Sequence, residues 1–345
     1  MAGTGPNPSA SNVSNVLTAQ AILFDKELIP NLKGETDAFV AVAERRVQGL
    51  HMGVNRQFFQ YNTLAGDTVQ NADGVVGAPE VISQISAPAQ VGEWNNYSNF
   101  SAFAIAASID ELVGNSAVEL GYQAGQSISE LYSAVADSAS GVDANVNQSG
   151  LLVTPFTLDL ATVRELKQQL VSADVLPCKK GMFYGVISPN VLGDVYNATT
   201  VNNSIIDNWK HTESGQKKFD EMAGSDQTKE IVLPGTNILF RQTPFVTKTA
   251  NYSGGTKTAY RTYIFGNYAM IGVWLQVPGD TDLDEGDWRT IDCRVVTDAP
   301  PSSFDPTATI GGWASYRFHQ TVTLPPATGL NTQRIRFLDS VPAIQ

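Results

Sequence analysis

The sequence predicts an α+β protein in which β-rich segments flank one long helix and a mixed α/β region. Three observations lead to this prediction. A capped helical pattern of unusual length begins near residue 108, strand and helix patterns alternate from residue 151 onwards, and only 16% of the 345 residues are charged. Soluble domains have about 25% charged residues. A folded chain with so few is expected to bury much of its surface against copies of itself.

The charge distribution argues against two classes of protein. The chain has 22 basic and 34 acidic residues, a net charge of −12. The stretch from Gln57 to Val163 contains eleven acidic residues and no Lys or Arg. Nucleic-acid-binding domains and polybasic membrane-surface proteins need clustered positive charge, so neither is expected. The sequence has no run of about 18 apolar residues, so no membrane-spanning helix is predicted.

Residues 1–50 are predicted to form an N-terminal arm. Small and polar residues come first, followed by a short apolar patch and a break at Pro30. Between Thr36 and Leu50, apolar residues recur at helical spacing through Phe39, Val42 and Val47. We therefore expect a helix in the last part of the arm.

Residues 51–100 are predicted to form a long β-hairpin. Its outer strands are expected at Asn55–Tyr61 and Val91–Tyr97, with a polar, Gly-rich excursion between them. A hairpin of this kind has little core of its own and would be stable only against a neighbour. Because aromatic side chains dominate contacts between chains, the predicted assembly-interface residues are Phe58, Phe59, Tyr61, Trp94 and Tyr97. Because no Lys or Arg occurs from Gln57 to Val163, these aromatics do not suit the stacking of single-stranded nucleic acid.

Residues 101–150 are predicted to contain the long helix. Ser108 and Glu111 match a capping box, in which each side chain satisfies a backbone N–H at the helix start. Apolar residues then recur in steps of three and four to about Ser138, which corresponds to a helix of about 45 Å. The predicted packing stripe comprises Ile109, Leu112, Val113, Leu120, Ile128, Leu131 and Val135. The opposite stripe is polar and includes Glu119, Glu130 and Asp137.

Residues 151–290 are predicted to form a mixed α/β domain, and residues 291–345 a β-rich tail. Helices are expected from about Leu160 to Leu170 and from Asn190 to Tyr196, on either side of a buried strand that ends at Pro189. Further strands are expected at Asn237–Arg241, Ala259–Phe265, Ala269–Val277, Trp288–Val296 and Trp313–Thr323.

The sequence contains no recognisable catalytic, cofactor-binding or metal-binding constellation. None of its three histidines has a partner at zinc-ligand spacing, and neither a GxSxG nor a GxGxxG motif is present. The acidic loop Asp280–Asp287 is similar to the start of a calcium loop. However, its Gly286 falls one position late, and Ile291 stands where a bidentate Glu is needed. We interpret it as a solvated loop, with a calcium-dependent enzyme as the alternative, so no catalytic residue, cofactor or metal is predicted.

The order of these segments and their residue patterns resemble those of the major capsid proteins of tailed bacteriophages, which have the Hong Kong ninety-seven-type fold. The similarity is greatest at Ser108–Val113 and Glu119–Tyr122 in the long helix, and at Leu160–Leu166 and Phe183–Pro189 further on. The resemblance implies an N-arm (1–50), an E-loop (51–100), a P-domain opened by a spine helix (101–150), an A-domain (151–290) and a return to the P-domain (291–345).

The resemblance also implies a function. A protein of this family would self-assemble through hexamers and pentamers into an icosahedral head around double-stranded DNA, without catalysis. Its partners would be further copies of itself, a portal and a separate scaffolding or decoration protein; it would be assembled in the host cytoplasm and located in the virion capsid. There is no Lys between Lys33 and Lys167, so an isopeptide crosslink from an E-loop Lys is not expected. The alternatives are a cellular compartment shell or a tail structural protein on the same fold.

Overall fold

The computed structural model describes residues 38–49, 51–61, 81–101, 112–139, 158, 160–178, 181–197, 230–232, 236–250, 258–276, 291–296, 310–326 and 334–342. The helices in these ranges are α1 (Leu112–Ser138), α2 (Leu160–Ser172) and α3 (Pro189–Asn197). The strands, in chain order, are β1 (Glu44–Gln48), β2 (Asn55–Tyr61), β3 (Gln84–Gln90), β4 (Gly92–Ser101), β5 (Phe183–Ile187), β6 (Glu230–Val232), β7 (Ile238–Gln242), β8 (Lys248–Thr249), β9 (Ala259–Phe265), β10 (Ile271–Leu275), β11 (Ile291–Val296), β12 (Ile310–Thr323) and β13 (Ile335–Ser340).

The first sheet is built around β12. This 14-residue strand pairs antiparallel with β4, β10 and β11, and β1 pairs parallel with β10. Side chains along each strand alternate between the two faces of the sheet. On one face, Trp274, Tyr316 and Phe318 pack against α1 in the main hydrophobic core. On the opposite face, Ile271 and Val273 pack against the base of the β2–β3 hairpin. The first sheet therefore lies between α1 and the hairpin.

The second sheet has the order β13-β9-β5-β7-β6, with β8 paired to β9. It also has two covered faces. Tyr263 and Phe265 of β9 point into the core shared with α1, whereas Ile264 points into a second core with α2 and α3. Burial of Leu160, Val163, Leu166 and Leu170, in steps of three and four, explains why α2 forms where the sequence predicted a helix. Helix α1 thus contributes to a single core that includes residues of both sheets.

The predicted helix at the end of the N-terminal arm is wrong for residues 44–48. These residues form β1, which pairs in parallel register with β10, and Glu44 N donates to the carbonyl of Met270 at 2.9 Å. Within the described range 38–49, the helical residues are 38–40. Phe39 and Val42 are buried in the main core as their spacing suggested, but the ladder offered by β10 overrides a weak local helical preference.

The hairpin is present, but its second strand differs from the prediction. Strand β2 pairs antiparallel with β3, with Asn55 opposite Gln90 and Tyr61 opposite Gln84. The residues expected to pair with β2 belong instead to β4, which runs along β12 in the first sheet. The short step at Val91 between β3 and β4 marks the point at which the chain leaves the hairpin.

The boundaries of the predicted segments do not separate the strands of the first sheet from those of the second. Strand β10 falls within 151–290 yet belongs to the first sheet, and β13 falls within 291–345 yet belongs to the second. The chain therefore passes between the two sheets more than once. Among the described residues, no helix combines the length and the apolar character needed to cross a membrane.

Candidate assembly surfaces

The hairpin β2–β3 is attached to the first sheet at its base. Gln48 Nε2 donates to the carbonyl of Gly53 at 2.7 Å, and Arg56 Nη1 donates to the carbonyl of Val47 at 3.0 Å. Gly53 adopts a φ of 79°, a left-handed conformation that favours glycine. Phe58, Ala89 and Val91 supply the apolar part of the attachment. These contacts hold the base, so the rest of the hairpin projects from a defined position.

The two faces of the hairpin differ in exposure, because side chains alternate along each strand. Phe58 is half-buried on the inner face, where Arg56 lies over its ring with 5.4 Å between the guanidinium carbon and the ring centre. Phe59 and Tyr61 lie on the outer face and are 58% and 64% exposed. Their cross-strand partners are Ser86 and Gln84. The outer face therefore combines exposed aromatic rings with uncharged polar side chains.

The predicted pair Trp94 and Tyr97 does not form one patch. The two residues are an odd number of positions apart in β4, so they project from opposite faces of the first sheet. Trp94 lies on the α1 side, where its indole N–H donates to the carbonyl of Gln320 at 3.2 Å, and it remains 44% exposed. Tyr97 is 63% exposed on the other side. Of the five predicted interface residues, Phe59, Tyr61, Trp94 and Tyr97 are exposed and Phe58 faces inward.

The buried face of α1 coincides only in part with the predicted packing stripe. Leu120 and Ile128 are buried, and Leu131 and Val135 are partly buried against the main core. Ile109 lies outside the described residues, and the side chains of Leu112 and Val113 do too. The most deeply buried line steps by four residues and consists of Leu120, Ala124, Ile128, Tyr132 and Ala136. Tyr132 and Ala136 were not among the predicted residues, although they continue the same period of four.

Tyr132 joins α1 to the first sheet by a buried polar contact. Gln320 Nε2 donates to the Tyr132 hydroxyl at 2.7 Å. The hydroxyl also lies so close to Gly272 that a Cβ built there would be 2.4 Å from it. Burial raises the pKa of the Tyr132 phenol well above its ordinary value. Strand β10 therefore needs glycine at this position to let the ring approach.

The polar stripe of α1 is solvent-exposed at Glu119 and Glu130, but not at Asp137. Glu119 contributes to a groove of about 540 Å³ between α1 and β4, together with Ser98, Asn115, Tyr122 and Gln126. Glu130 accepts a hydrogen bond from Gln126 Nε2 at 2.8 Å. Asp137 is instead bound by Arg261, Tyr263 and Thr247 of the second sheet and the loop before β8. Asp137 therefore differs from the other acidic residues of the predicted polar stripe, because its carboxylate is bound by side chains from outside the helix.

The described residues contain no group of three or more His, Cys, Asp or Glu side chains that could hold a metal ion. His319 Nε2 lies 3.6 Å from a Glu93 carboxylate oxygen on the face of the first sheet opposite to α1. The acidic loop Asp280–Asp287 lies outside the described residues, as does His211. The calcium hypothesis for that loop stays a hypothesis.

Comparisons with solved structures identify this arrangement of sheets and helices. The capsid protein of Ralstonia phage GP4 matches with a TM-score of 0.58 and 13% sequence identity, over 87% of each chain. The capsid protein of cyanophage Pam1 matches with a TM-score of 0.58 and 12% identity, over 90% of this chain and 93% of that one. The chain has the fold of these phage capsid proteins.

The same fold is found in the head of Helicobacter pylori bacteriophage KHP40. The match has a TM-score of 0.55 and 10% identity, over 88% of this chain and 90% of that one. No family model matches the sequence, and no curated protein does. The fold expected from the order of segments is therefore confirmed by structure, at a sequence identity too low for sequence comparison to show it.

Proposed function

We propose that this chain is the major capsid protein of a tailed phage. The observation that carries the proposal is the match to phage capsid folds over nearly the whole length of both chains. The match covers 87% of each chain for one structure and 90% and 93% for the other, so it is not limited to one shared domain. We infer that it assembles through hexamers and pentamers into an icosahedral head around double-stranded DNA, and that its role is structural rather than enzymatic.

The hairpin supports self-assembly as the central property. Its outer face carries Phe59 and Tyr61 beside Gln57, Ser86 and Gln84, and none of these side chains is charged. Burying such a face carries no desolvation cost for charge, and aromatic rings provide large contact areas. Among the described residues, the hairpin contacts the first sheet at its base, so we expect a second copy that covers the exposed face to stabilise the hairpin. We therefore assign the assembly role to Phe59, Tyr61, Trp94 and Tyr97, with Phe58 positioning the hairpin.

The wider proposal includes partners and location. A portal, a separate scaffolding or decoration protein and packaged DNA are the expected partners, the virion capsid is the expected location, and the host cytoplasm is the expected place of assembly. The net charge of −12 agrees with enclosing DNA without sequence-specific binding, because like charges repel.

Electron microscopy of the purified chain tests the proposal. We expect closed shells or free hexamers, and we expect the double variant Phe59→Ser, Tyr61→Ser to remain folded but fail to assemble. Val171→Ser is the matched control, because Val171 is 55% exposed on α2, which packs on the second sheet. A monomer that persists at high protein concentration contradicts the proposal. Closed shells with a cellular cargo would indicate a compartment shell, and calcium-dependent turnover would indicate the enzyme.

A further inference from the structure

Helix α1 makes directional polar contacts with both sheets, and two of them lie five residues apart near its C-terminal end. The first is Tyr132, which binds Gln320 and contacts Gly272 of the first sheet. The second is Asp137, which binds residues of the second sheet. Between these points the contact is apolar, and hydrophobic burial is non-directional. The polar contacts are therefore the ones that can define how α1 is oriented.

The position of Asp137 is not explained by the helix itself. It is the second-last residue of α1, where a carboxylate meets the negative end of the helix dipole and is unfavourable. The carboxylate is nevertheless well bound. Its Oδ1 accepts from Arg261 Nη1 at 2.9 Å and from the Tyr263 hydroxyl at 2.8 Å, and its Oδ2 accepts from Thr247 Oγ1 at 2.7 Å. These tertiary contacts therefore offset the unfavourable position of Asp137 at the C-terminal end of α1.

Arg261 of β9 also binds the neighbouring strand β13, which is the edge strand of the second sheet. Its Nε and Nη2 donate to the two carboxylate oxygens of Asp339 on β13 at 2.7 and 2.8 Å. Its guanidinium carbon lies 4.3 Å from the centre of the Phe337 ring. Hydrogen bonds to Asp339 raise the pKa of the guanidinium above its ordinary value. A planar group held on three sides has a fixed orientation, so it can orient the carboxylate of Asp137.

We propose that Asp137 and Arg261 form a clamp that fixes the orientation of the second sheet relative to α1. Because Tyr132 fixes α1 on the first sheet, the clamp determines the angle between the two sheets. In a shell built as proposed above, the angle between two parts of the subunit contributes to the curvature that each copy adds. The clamp would therefore restrict the range of shell diameters that the chain can form.

Hydrogen exchange on the dissociated protein tests the clamp without reference to shells. In Asp137→Asn, we expect amide exchange in the last two turns of α1, residues 131–138, to become about tenfold faster, because a charged hydrogen-bond partner is lost. The control Glu130→Gln changes a carboxylate to an amide on the exposed side of the same helix and should leave exchange unchanged. Asp339→Asn leaves the Arg261–Asp137 pair in place and should affect β13 more than α1. Equal exchange in Asp137→Asn and Glu130→Gln overturns the clamp.

Particle diameters measured by electron microscopy test its consequence. We expect Asp137→Asn to give a broader distribution of diameters than the wild type or Glu130→Gln. If Asp137→Asn does not fold, Thr247→Ala removes one donor without changing a charge and should show the same broadening to a lesser extent. A distribution identical to that of the wild type contradicts the link to curvature. If the wild type forms no shells, the proposed function fails, and the exchange measurement still decides whether the clamp exists.

Discussion

In helix α1, Ala124, Ile128 and Ala136 are fully buried, whereas in the hairpin β2–β3 the side chains of Phe59 and Tyr61 are 58% and 64% exposed. The helix packs against two sheets, and the hairpin is attached to one sheet at its base. Apolar side chains on α1 therefore stabilise the fold of one copy. Apolar side chains on the outer hairpin face add little to that fold and remain available to another copy. We therefore expect folding and the proposed assembly to depend on different residues, so that each can be changed separately.

The largest effect on folding is expected from Ile128→Ala. Ile128 is fully buried in the main core, so its loss removes apolar contacts and leaves a cavity, at a cost of about 2–5 kcal/mol in the free energy of unfolding. Urea unfolding monitored by circular dichroism measures the change. Val171→Ala, on an exposed position of α2, is the control and should cost less than about 0.5 kcal/mol. Equal losses in the two variants would contradict the assignment of Ile128 to the core.

Gly272→Ala should have the next largest effect. The added Cβ would lie 2.4 Å from the Tyr132 hydroxyl, so the helix or the strand must shift, at a cost of about 1–3 kcal/mol. Gly193→Ala in α3 is the matched control, because nothing lies within 4 Å of its Cβ and alanine favours the helix. Combining Gly272→Ala with Tyr132→Phe should recover part of the loss. Additive losses in the double variant would show that the two residues do not contact each other.

A smaller change in the free energy of unfolding is expected at alkaline pH. The pKa of Tyr132 is raised by burial relative to about 10 in the unfolded chain, so only the unfolded state releases this proton just above pH 10. The contribution of Tyr132 to the free energy of unfolding is fully present below about pH 10. Above that pH it decreases by up to about 1.4 kcal/mol per pH unit. Urea unfolding of the wild type and Tyr132→Phe between pH 8 and pH 11 measures both slopes. The variant should have the shallower slope, and parallel slopes would contradict the buried, protonated phenol.

The smallest effect on folding is expected from Phe59→Ala. Because the ring is on the exposed face of the hairpin, the free energy of unfolding of the monomer should change by less than about 0.5 kcal/mol. Phe58→Ala is the comparison on the inner face and should expose the hairpin base to proteolysis, since Phe58 packs on the first sheet. Limited proteolysis and urea unfolding together measure both. If Phe59→Ala destabilises the monomer as much as Phe58→Ala, the two faces are not distinct.

The elements predicted best were those with a strong local pattern. Helix α2 and strand β9 lie where their periodicity indicated, because the side chains that repeat are those that the core buries. Helix α1 ends at Ser138 as expected. Leu120 and Ile128 of the predicted packing stripe are buried, and so is Tyr132, which was not among the predicted residues. Its buried hydroxyl needs Gln320, a partner 188 positions away.

The errors lie where a distant strand decides the local structure. Residues 44–48 have helical spacing, yet β10 pairs with them. The residues after Val91 have a strand pattern, but periodicity does not state the partner, and β12 rather than β2 pairs with β4. Alternation in a strand separates neighbouring aromatics onto two faces, so a cluster in the sequence became an inner Phe58 and an outer Phe59.

The sequence by itself determined the acidic, charge-poor composition, the apolar periods of α1 and α2, and the strand patterns, because these depend on residues close to one another in the chain. Tertiary structure alone decided which strands pair, which face of the hairpin remains exposed, and that Asp137 binds Arg261 rather than water. Hydrogen-bond ladders and partly buried ion pairs join residues more than a hundred positions apart, such as Asp137 and Arg261. Their energies depend on the packed geometry and leave no local pattern in the chain.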